Sequence, residues 1–150
     1  MADIKSPEER SRNMAAIKGK NTKPEIYLRK LLFAQGFRYR TNTSSIPGHP
    51  DIWLKKYSTA VFVNGCFWHR HSGCKYAYIP KSRTEFWNLK FERNVLRDLE
   101  VRKQLENNEI KCLVVWECTI KAMIKNIEFR NECISSIEEF LSSDIMFEEI

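Results

Sequence analysis

The chain has 150 residues, the usual size of one domain, and its 25 Lys and Arg against 19 Asp and Glu give a formal net charge of +6. A basic balance suits a polyanionic partner such as nucleic acid, although a solvated basic surface would explain the charge alone about as well. No apolar run is long enough to cross a bilayer, and the N-terminus is too charged for a signal peptide. We therefore expect one intracellular domain over residues 1–150, without a membrane partner.

Two capping-box patterns predict helices near the N-terminus. Ser6, followed by a proline and two glutamates, predicts a first helix over about residues 7–17. Thr22, followed by KPE, predicts a second helix over residues 23–35, with apolar residues at helical spacing and a stop at Gly36. The second helix should be the better buried of the two.

Four short segments predict the strands of a sheet. Residues 37–40 alternate aromatic and basic side chains, and residues 51–54 and 59–63 flank a polar turn at 55–58. The run TAVFV at 59–63 and the run CLVVW at 112–116 are typical of strands buried at the centre of a sheet.

The second half of the chain predicts more helix. SRTE at residues 82–85 is a third capping box and predicts a long polar helix over about 83–107. The region from about 120 to 150 is predicted to be helical, with its regular part ending near residue 142. This element order predicts an α/β domain with a mixed central sheet flanked by helices.

The segment NGCFWHRHSGC at residues 64–74 carries candidate metal ligands. Cys66, His71 and Cys74 have the spacing C-x4-H-x2-C, and Cys118 closely follows the CLVVW strand. Thiolates and imidazole are the ligands that tetrahedral Zn²⁺ prefers, and four protein ligands close a structural site. We therefore predict one structural zinc ion. The alternative, that cysteines are small buried side chains, is the stronger one for the two other cysteines of the chain.

His69 lies in the same segment but is not needed as a zinc ligand. An imidazole that is free of metal can carry a proton near neutral pH, whereas a lone histidine is more often structural, so both interpretations stay open.

Pro50 and Asp51 open a strand after a glycine-containing loop, as the PD-(D/E)xK motif of restriction-endonuclease-like proteins begins. In that motif two acids and a lysine hold Mg²⁺ and position the attacking water. The position that should read acid-x-Lys falls in AVFVNG, which has neither. A standard enzyme of that class is therefore doubtful, and Asp51 could equally well end a turn.

The segment GCFWH follows directly after this missing acid-x-Lys. With this combination, the chain resembles the very short patch repair (Vsr) DNA mismatch endonucleases. The matching segments are RSRNMAAIKGKNTKPE at residues 10–25, IPGHPD at 46–51, NGCFWHRH at 64–71, RTEFW at 83–87 and VVWEC at 114–118. The resemblance covers residues 1 to about 120 in order. It implies a modified restriction-endonuclease-like fold and a strand-specific, Mg²⁺-dependent enzyme that nicks DNA 5′ of the thymine in a T:G mismatch produced by deamination of 5-methylcytosine.

The same resemblance assigns the catalytic residues. Asp51 would hold Mg²⁺, two ions being expected, and the backbone carbonyl of Val63 would add a ligand. Glu25 would reach the metal-bound waters, although its capping-box position alone favours a structural role. His69 would serve in acid-base activation of the attacking water. Asn64 departs from the family, which often has histidine there, and asparagine cannot exchange a proton at neutral pH, so we expect only a hydrogen-bonding role near the site.

DNA recognition is assigned in the same way. Phe67, Trp68 and Trp87 match family aromatics that wedge beside the mismatch from the major groove, and Met14 matches an apolar side chain that enters from the minor groove. Core packing is the competing interpretation for aromatic residues, and it is favoured for Trp53 on its strand pattern. The basic residues near the first helix are expected to contact phosphates, which set position rather than sequence: Arg10, Arg12, Lys18, Lys20 and Lys23. Lys90 and Asn94, one turn apart on the long predicted helix, are expected to meet base edges near the mismatch.

The resemblance also implies partners and a location. We expect a monomer that acts on double-stranded DNA in the bacterial cytoplasm, at the nucleoid, with a functionally linked cytosine-5 methyltransferase and mismatch-repair proteins as further partners. Two rival functions remain: a restriction-type nuclease that cuts undamaged sites, and a zinc-stabilised DNA-binding module that has lost catalysis, for which Asn64 is the sequence hint.

Overall fold

The structure, a computed structural model, describes residues 21–150. The helix predicted over 7–17 lies outside the described residues, as do the predicted DNA-contacting residues Arg10, Arg12, Met14, Lys18 and Lys20.

The first described helix, α1, spans Lys23–Ala34, as the capping pattern predicts. The Thr22 hydroxyl accepts a hydrogen bond from the backbone N–H of Glu25 at 3.4 Å, which satisfies one of the free N–H groups of the first turn. The Glu25 carboxylate does not close the reciprocal half of the box, because it accepts from the N–H of Asn21 at 2.8 Å. The helix ends before Gly36, whose φ of 92° lies in the left-handed region that glycine adopts without strain.

Five strands form one mixed sheet in the order β1-β2-β3-β4-β5. Pairing is antiparallel from β1 to β3 and parallel from β3 to β5. The strands are β1 (Arg40–Thr41), β2 (Ile52–Leu54), β3 (Thr59–Asn64), β4 (Lys111–Trp116) and β5 (Phe147–Glu149). The two apolar runs predicted as central strands therefore lie side by side, with Asn64 beside Trp116 at their carboxyl ends.

Helices cover both faces of the sheet. They are α2 (Thr84–Asn107), α3 (Glu117–Lys125) and α4 (Ile127–Ser142), in addition to α1. Val61 and Val115 lie on the face that packs with α1, α3 and α4 in the larger core cluster. Val114 and Trp116 point to the opposite face, where Leu105 of α2 joins a smaller cluster. This alternation is what a parallel pair buried on both faces requires, and the mixed α/β architecture is confirmed.

Three local predictions are wrong. The first strand is Arg40–Thr41, not 37–40, because Phe37 and Tyr39 pack against the core cluster after the helix. Ser82 does not cap the long helix: its N-cap is Arg83 at φ 54°, without a side-chain cap.

The third concerns the end of the C-terminal region. Two helices cover residues 117–142, so the predicted end of the regular helical part near residue 142 is confirmed, but residues 143–150 are not helical, because the chain then adds β5. The N–H of Ile150 donates to the carbonyl of Val114, so pairing with a buried neighbour stabilises a segment of weak intrinsic strand preference. Among residues 21–150, none of the helices combines the length and the apolar character needed to cross a membrane.

Candidate functional site

Asp51 lies immediately before β2, at the antiparallel side of β3. Its Oδ2 accepts a hydrogen bond of 2.7 Å from the backbone N–H of Val63. Burial, and to a lesser extent the nearby charge of Glu25, raises the pKa of Asp51 from its ordinary value to about 7, against the lowering effects of the Val63 N–H, Arg29 and His69. A carboxylate in this environment gains from any cation that lies beside it.

Glu25 lies on the first turn of α1 and is 3% exposed. Its carboxylate is 3.3 Å from the guanidinium of Arg29, which also donates to the Asn21 side chain at 2.9 Å. Two buried or half-buried acids, Glu25 and Asp51, thus share one nearby arginine. Carboxylate oxygens are the ligands that hard divalent cations prefer, so the composition of this pair fits such an ion.

His69 is held by a residue that sequence reasoning missed. Its Nδ1 lies 2.7 Å from Oδ2 of Asp98, on α2. A carboxylate can only accept, so this contact makes Nδ1 the protonated nitrogen and leaves Nε2 free to face a reacting group. The only sequence signal for Asp98 is that it lies one helical turn after Asn94, on the same face of the predicted helix.

A cleft of about 450 Å³ lies between α2 and the sheet. Asn64, His69 and Asp98 lie on its wall, together with Trp116. Asn64 is 9% exposed and ends β3, so its side chain is at the site although it cannot replace a histidine as a proton carrier. The cleft therefore connects the histidine to the carboxyl ends of the two central strands.

The four predicted zinc ligands come together. The ligand atoms of Cys66, His71, Cys74 and Cys118 all lie within 4.8 Å of one another, and the group could hold a metal ion. In a tetrahedral zinc site with bonds of about 2.3 Å, sulfur atoms are about 3.8 Å apart, so this cluster needs little contraction. The donor set of three thiols and one imidazole fits a zinc ion.

The surroundings of this cluster shift the pKa values of its thiols in opposite directions. Burial raises the pKa of Cys66, whereas hydrogen bonding, first from the backbone N–H of Tyr76, lowers the pKa of Cys74. The ring of His71 stacks on Trp116 at 4.1 Å between centroids, which fixes its orientation. A metal ion would displace the protons of the thiols, because thiolates are its ligands.

The aromatic loop, residues 65–80, carries Phe67 and Trp68 against α2. The Phe67 ring lies 5.1 Å from Trp68 and 5.7 Å from Trp87, and Trp68 lies 5.8 Å from Trp87. All three predicted wedge residues that the structure describes thus form one half-buried cluster. Phe91, 5.1 Å from Phe67, is a buried member of the same cluster and was not among the predicted site residues.

The predicted DNA contacts of α2 lie beside this cluster. The ammonium of Lys90 is 5.1 Å from the Trp68 ring, and the amide of Asn94 donates to the Trp68 carbonyl at 3.1 Å. Lys23 is exposed at the first turn of α1. Their roles toward DNA stay predictions.

The sheet order, with Asp51 where β2 begins, Glu25 on α1 and a Cys/His cluster after the end of β3, places the chain in the class of restriction-endonuclease-like α/β proteins. A family model described as DNA mismatch endonuclease Vsr matches residues 2–75. The Type II nicking enzyme V.NmeAIP of Neisseria meningitidis is 45% identical over 139 residues, covering 93% of this chain and 99% of the relative. The chain belongs to the Vsr DNA mismatch endonuclease family.

Two further relatives agree with this membership. The DNA mismatch endonuclease Vsr of Escherichia coli K12 is 39% identical over 125 residues, covering 83% of this chain and 80% of the relative. The Type II nicking enzyme V.XorIIP of Xanthomonas oryzae is 38% identical over 133 residues, covering 85% of this chain and 97% of the relative. Membership makes the chain a DNA endonuclease of mismatch repair, which confirms the resemblance drawn from its motifs.

Proposed function

We propose that this endonuclease nicks double-stranded DNA on the 5′ side of the thymine in a T:G mismatch left by deamination of 5-methylcytosine, and so initiates very short patch repair. One observation carries the proposal: Trp68, in the aromatic cluster, and His69, hydrogen-bonded to Asp98, are consecutive residues of one loop. Contact of the cluster with a disturbed base step would therefore bring the histidine to the adjacent backbone.

The acidic pair is the proposed site of Mg²⁺, with two ions expected. Asp51 and the carbonyl of Val63 would be direct ligands, and Glu25 would bind the surrounding waters. The raised pKa of Asp51 supports this, because a carboxylate that is poorly stabilised alone gains most from a cation. When bound, Mg²⁺ supplies charge stabilisation at the phosphate and at the leaving oxygen.

His69 is proposed to take the proton of the attacking water through Nε2. Asp98 orients the ring and stabilises the imidazolium that forms, as a carboxylate does for a catalytic histidine in other hydrolases. Asn64, buried at the end of β3, would donate or accept a hydrogen bond without exchanging a proton.

Mismatch recognition is proposed to use Phe67, Trp68 and Trp87 as a wedge, because a step that contains a T:G wobble pair is easier to unstack than a step of Watson–Crick pairs. Met14 would enter from the minor groove. Arg10, Arg12, Lys18, Lys20 and Lys23 would bind phosphates. Lys90 and Asn94 would meet base edges near the mismatch, and the Asn94 amide also holds the loop through the Trp68 carbonyl.

The Cys/His cluster is proposed to hold one structural Zn²⁺. Such an ion would fix the aromatic loop between β3 and α3, since the loop has no helix or strand of its own.

The cellular setting follows from the proposed substrate. The enzyme would act as a monomer on the nucleoid, in the bacterial cytoplasm. A cytosine-5 methyltransferase in the same cell would define the flanking sequence, and mismatch-repair proteins would be further partners.

A nicking assay on end-labelled duplexes tests the proposal. We expect Mg²⁺-dependent cleavage of the thymine strand, 5′ of the mismatched thymine, and no cleavage of a duplex in which that thymine pairs with adenine. Equal cleavage of matched DNA would favour the restriction-type nuclease, and binding without nicking would favour a module that has lost catalysis.

A further inference from the structure

We propose that Arg70 is a positioning residue that holds the aromatic loop in the shape needed to test a mismatch. The proposal rests on the function proposed above, in which Phe67 and Trp68 of this loop contact the mismatched step.

The guanidinium of Arg70 joins two distant parts of the loop backbone. Its Nη1 donates to the carbonyls of Phe67 at 3.0 Å and Tyr78 at 3.1 Å, and its Nη2 donates to the carbonyl of Ala77 at 2.7 Å. Neither strand nor helix organises residues 65–80, so these carbonyls have no ladder to satisfy them. Hydrogen bonds from a charged donor are worth about twice neutral ones, which makes one side chain an effective cross-brace.

The same guanidinium connects the loop to α2. Its central carbon lies 3.8 Å from the centroid of the Phe91 ring and 5.7 Å from that of Phe67. Phe91 is buried and also packs against Phe67 and Trp87. Arg70 thus holds Phe67 in two ways. It donates a hydrogen bond to the Phe67 carbonyl, and it stacks on the Phe91 ring, against which the Phe67 ring packs.

The backbone of Arg70 indicates that this arrangement is enforced. Its φ of 55° lies in the left-handed region, which costs a residue with a Cβ of the order of 1 kcal/mol and persists only where the surroundings favour it. Here the three carbonyl contacts and the Phe91 ring provide that support. A lysine could keep the charge but could not present a planar fork to these carbonyls.

A phosphate contact is the obvious alternative role for an arginine in a DNA-binding enzyme. Three of the five N–H donors of a guanidinium are already used here by loop carbonyls. A loop braced before binding loses less conformational freedom when its aromatics enter a base step, so Arg70 should affect mismatch preference more than general DNA affinity.

Arg70→Lys and Arg70→Gln separate the two roles, after their metal content has been matched to the native protein. Both variants should lose about tenfold or more of the binding preference for a T:G duplex over the matched T:A duplex, as expected for lost charge-assisted hydrogen bonds. Matched-duplex affinity and its salt dependence should not change. In the free protein, amide hydrogen exchange over residues 66–80 should become faster in both variants.

Arg38→Gln is the matched control, because Arg38 also donates to backbone carbonyls, those of Phe33 and Phe37, and stacks on a ring, but after α1. It should change neither mismatch preference nor exchange in the aromatic loop.

A phosphate role would give a different pattern and would overturn the proposal. Arg70→Lys would then bind like the native protein, while Arg70→Gln would weaken both duplexes equally and lower the salt slope by about 0.9. If the native enzyme shows no T:G preference, the proposed function fails, and hydrogen exchange still decides about Arg70. Faster exchange in both variants supports its bracing role, and unchanged exchange refutes it.

Discussion

Two opposing sets of effects act on the pKa of Asp51. Burial and the neighbouring Glu25 disfavour its charge, while the Val63 N–H and Arg29 favour it, and burial dominates. An acid kept in such a place lowers the stability of the metal-free protein once it ionises. A divalent cation beside Asp51 and Glu25 would relieve this cost, which is why we regard the pair as a cation site.

This conflict predicts a pH dependence of stability. The folded-state pKa of about 7 lies above the ordinary value of 3.8, so between these values the folded protein holds a proton that the unfolded chain has released. The stabilising contribution is complete below the lower value and is lost as pH rises through the upper one. Without added Mg²⁺, the free energy of unfolding of Asp51→Asn should therefore rise relative to that of the native protein as pH increases from about 5 to about 8. The change in this difference should amount to a few kcal/mol.

Urea unfolding at several pH values measures this difference. The control is Glu138→Gln, a change of an exposed acid on α4, which should follow the native pH dependence. A constant difference between Asp51→Asn and the native protein across this range would contradict the account.

The contact of Asp98 with His69 predicts a role for Asp98 in the nicking rate. Asp98→Asn keeps the size of the side chain but replaces the accepting carboxylate next to Nδ1 of His69. Single-turnover nicking of T:G DNA should fall by roughly 10-fold to 100-fold, as for other residues that orient an active-site group, while DNA affinity is retained. Glu100→Gln, an exposed change on the same helix, is the control and should nick normally. Full activity of Asp98→Asn would exclude an orienting role.

The difference between predicted and missed residues has a physical basis. Zinc ligands have restricted residue types and short spacings, so the cluster of Cys66, His71, Cys74 and Cys118 was predictable and is confirmed as a possible metal site. Asp98 is 29 positions from His69 and lies in a charged helix, where an aspartate is ordinary. Only the packing of α2 against the loop brings the two together.

Among the elements, the aromatic loop contains neither helix nor strand, yet it carries several of the residues proposed to act on DNA. A metal ion in the Cys/His cluster would anchor it beside β3 and α3, and the contacts of Arg70 and Phe91 connect it to α2. A loop with two such anchors can present aromatic side chains without a core beneath it.

Removing one ligand tests the first anchor. Cys118→Ala should lose most of the metal, which should be about one zinc per chain in the native protein, and should lower the thermal midpoint. Because burial raises the pKa of Cys66, metal binding should also release protons and weaken as pH falls. Metal analysis and calorimetry measure these effects.

Cys112→Ala is the control for this experiment, since Cys112 is buried on β4 outside the cluster. It should keep its zinc. Folded, metal-free native protein, or equal metal content in Cys118→Ala, would be incompatible with a structural zinc site.

Elements whose sequence pattern agrees with their environment were predictable. The β-branched runs at 59–63 and 112–116 are central strands, and Thr22 caps α1. The errors fall where tertiary contacts decide: Phe37 is drawn into the core, and β5 exists because β4 offers a free edge. The start of α2 differs because Thr84 bonds to the Pro80 and Lys81 carbonyls while Ser82 makes no cap.

At the scale of the whole molecule, the parallel pair β3 and β4 organises the site. Asn64 and Trp116 end these strands side by side, so the chain leaves the sheet at one edge toward both the aromatic loop and Cys118. Asp51 reaches the same strand, β3, through Val63. Asp51, His69 and the first three ligands of the metal cluster are therefore positioned from β3, while Cys118 is positioned from β4 and Glu25 from α1.

The net charge of +6 predicts a strong salt dependence of DNA binding. Because phosphates do not report a mismatch, the slope of log affinity against log salt should be the same for T:G and matched duplexes. Lys23→Gln, at the exposed start of α1, should reduce both slopes by about 0.9. Fluorescence anisotropy titrations measure the slopes, and a change confined to one duplex would show that Lys23 does not act through phosphate.

The metal-dependent nicking of mismatched DNA is tested by the single-turnover rate at which the native enzyme and Asp51→Asn nick a T:G duplex in Mg²⁺, with matched zinc content. We expect strand-specific nicking by the native enzyme and a loss of about 1,000-fold or more in the variant, because the amide cannot replace a metal-binding carboxylate. Both proteins should bind the duplex. Nicking by Asp51→Asn at the native rate would show that Asp51 does not hold the catalytic metal ion.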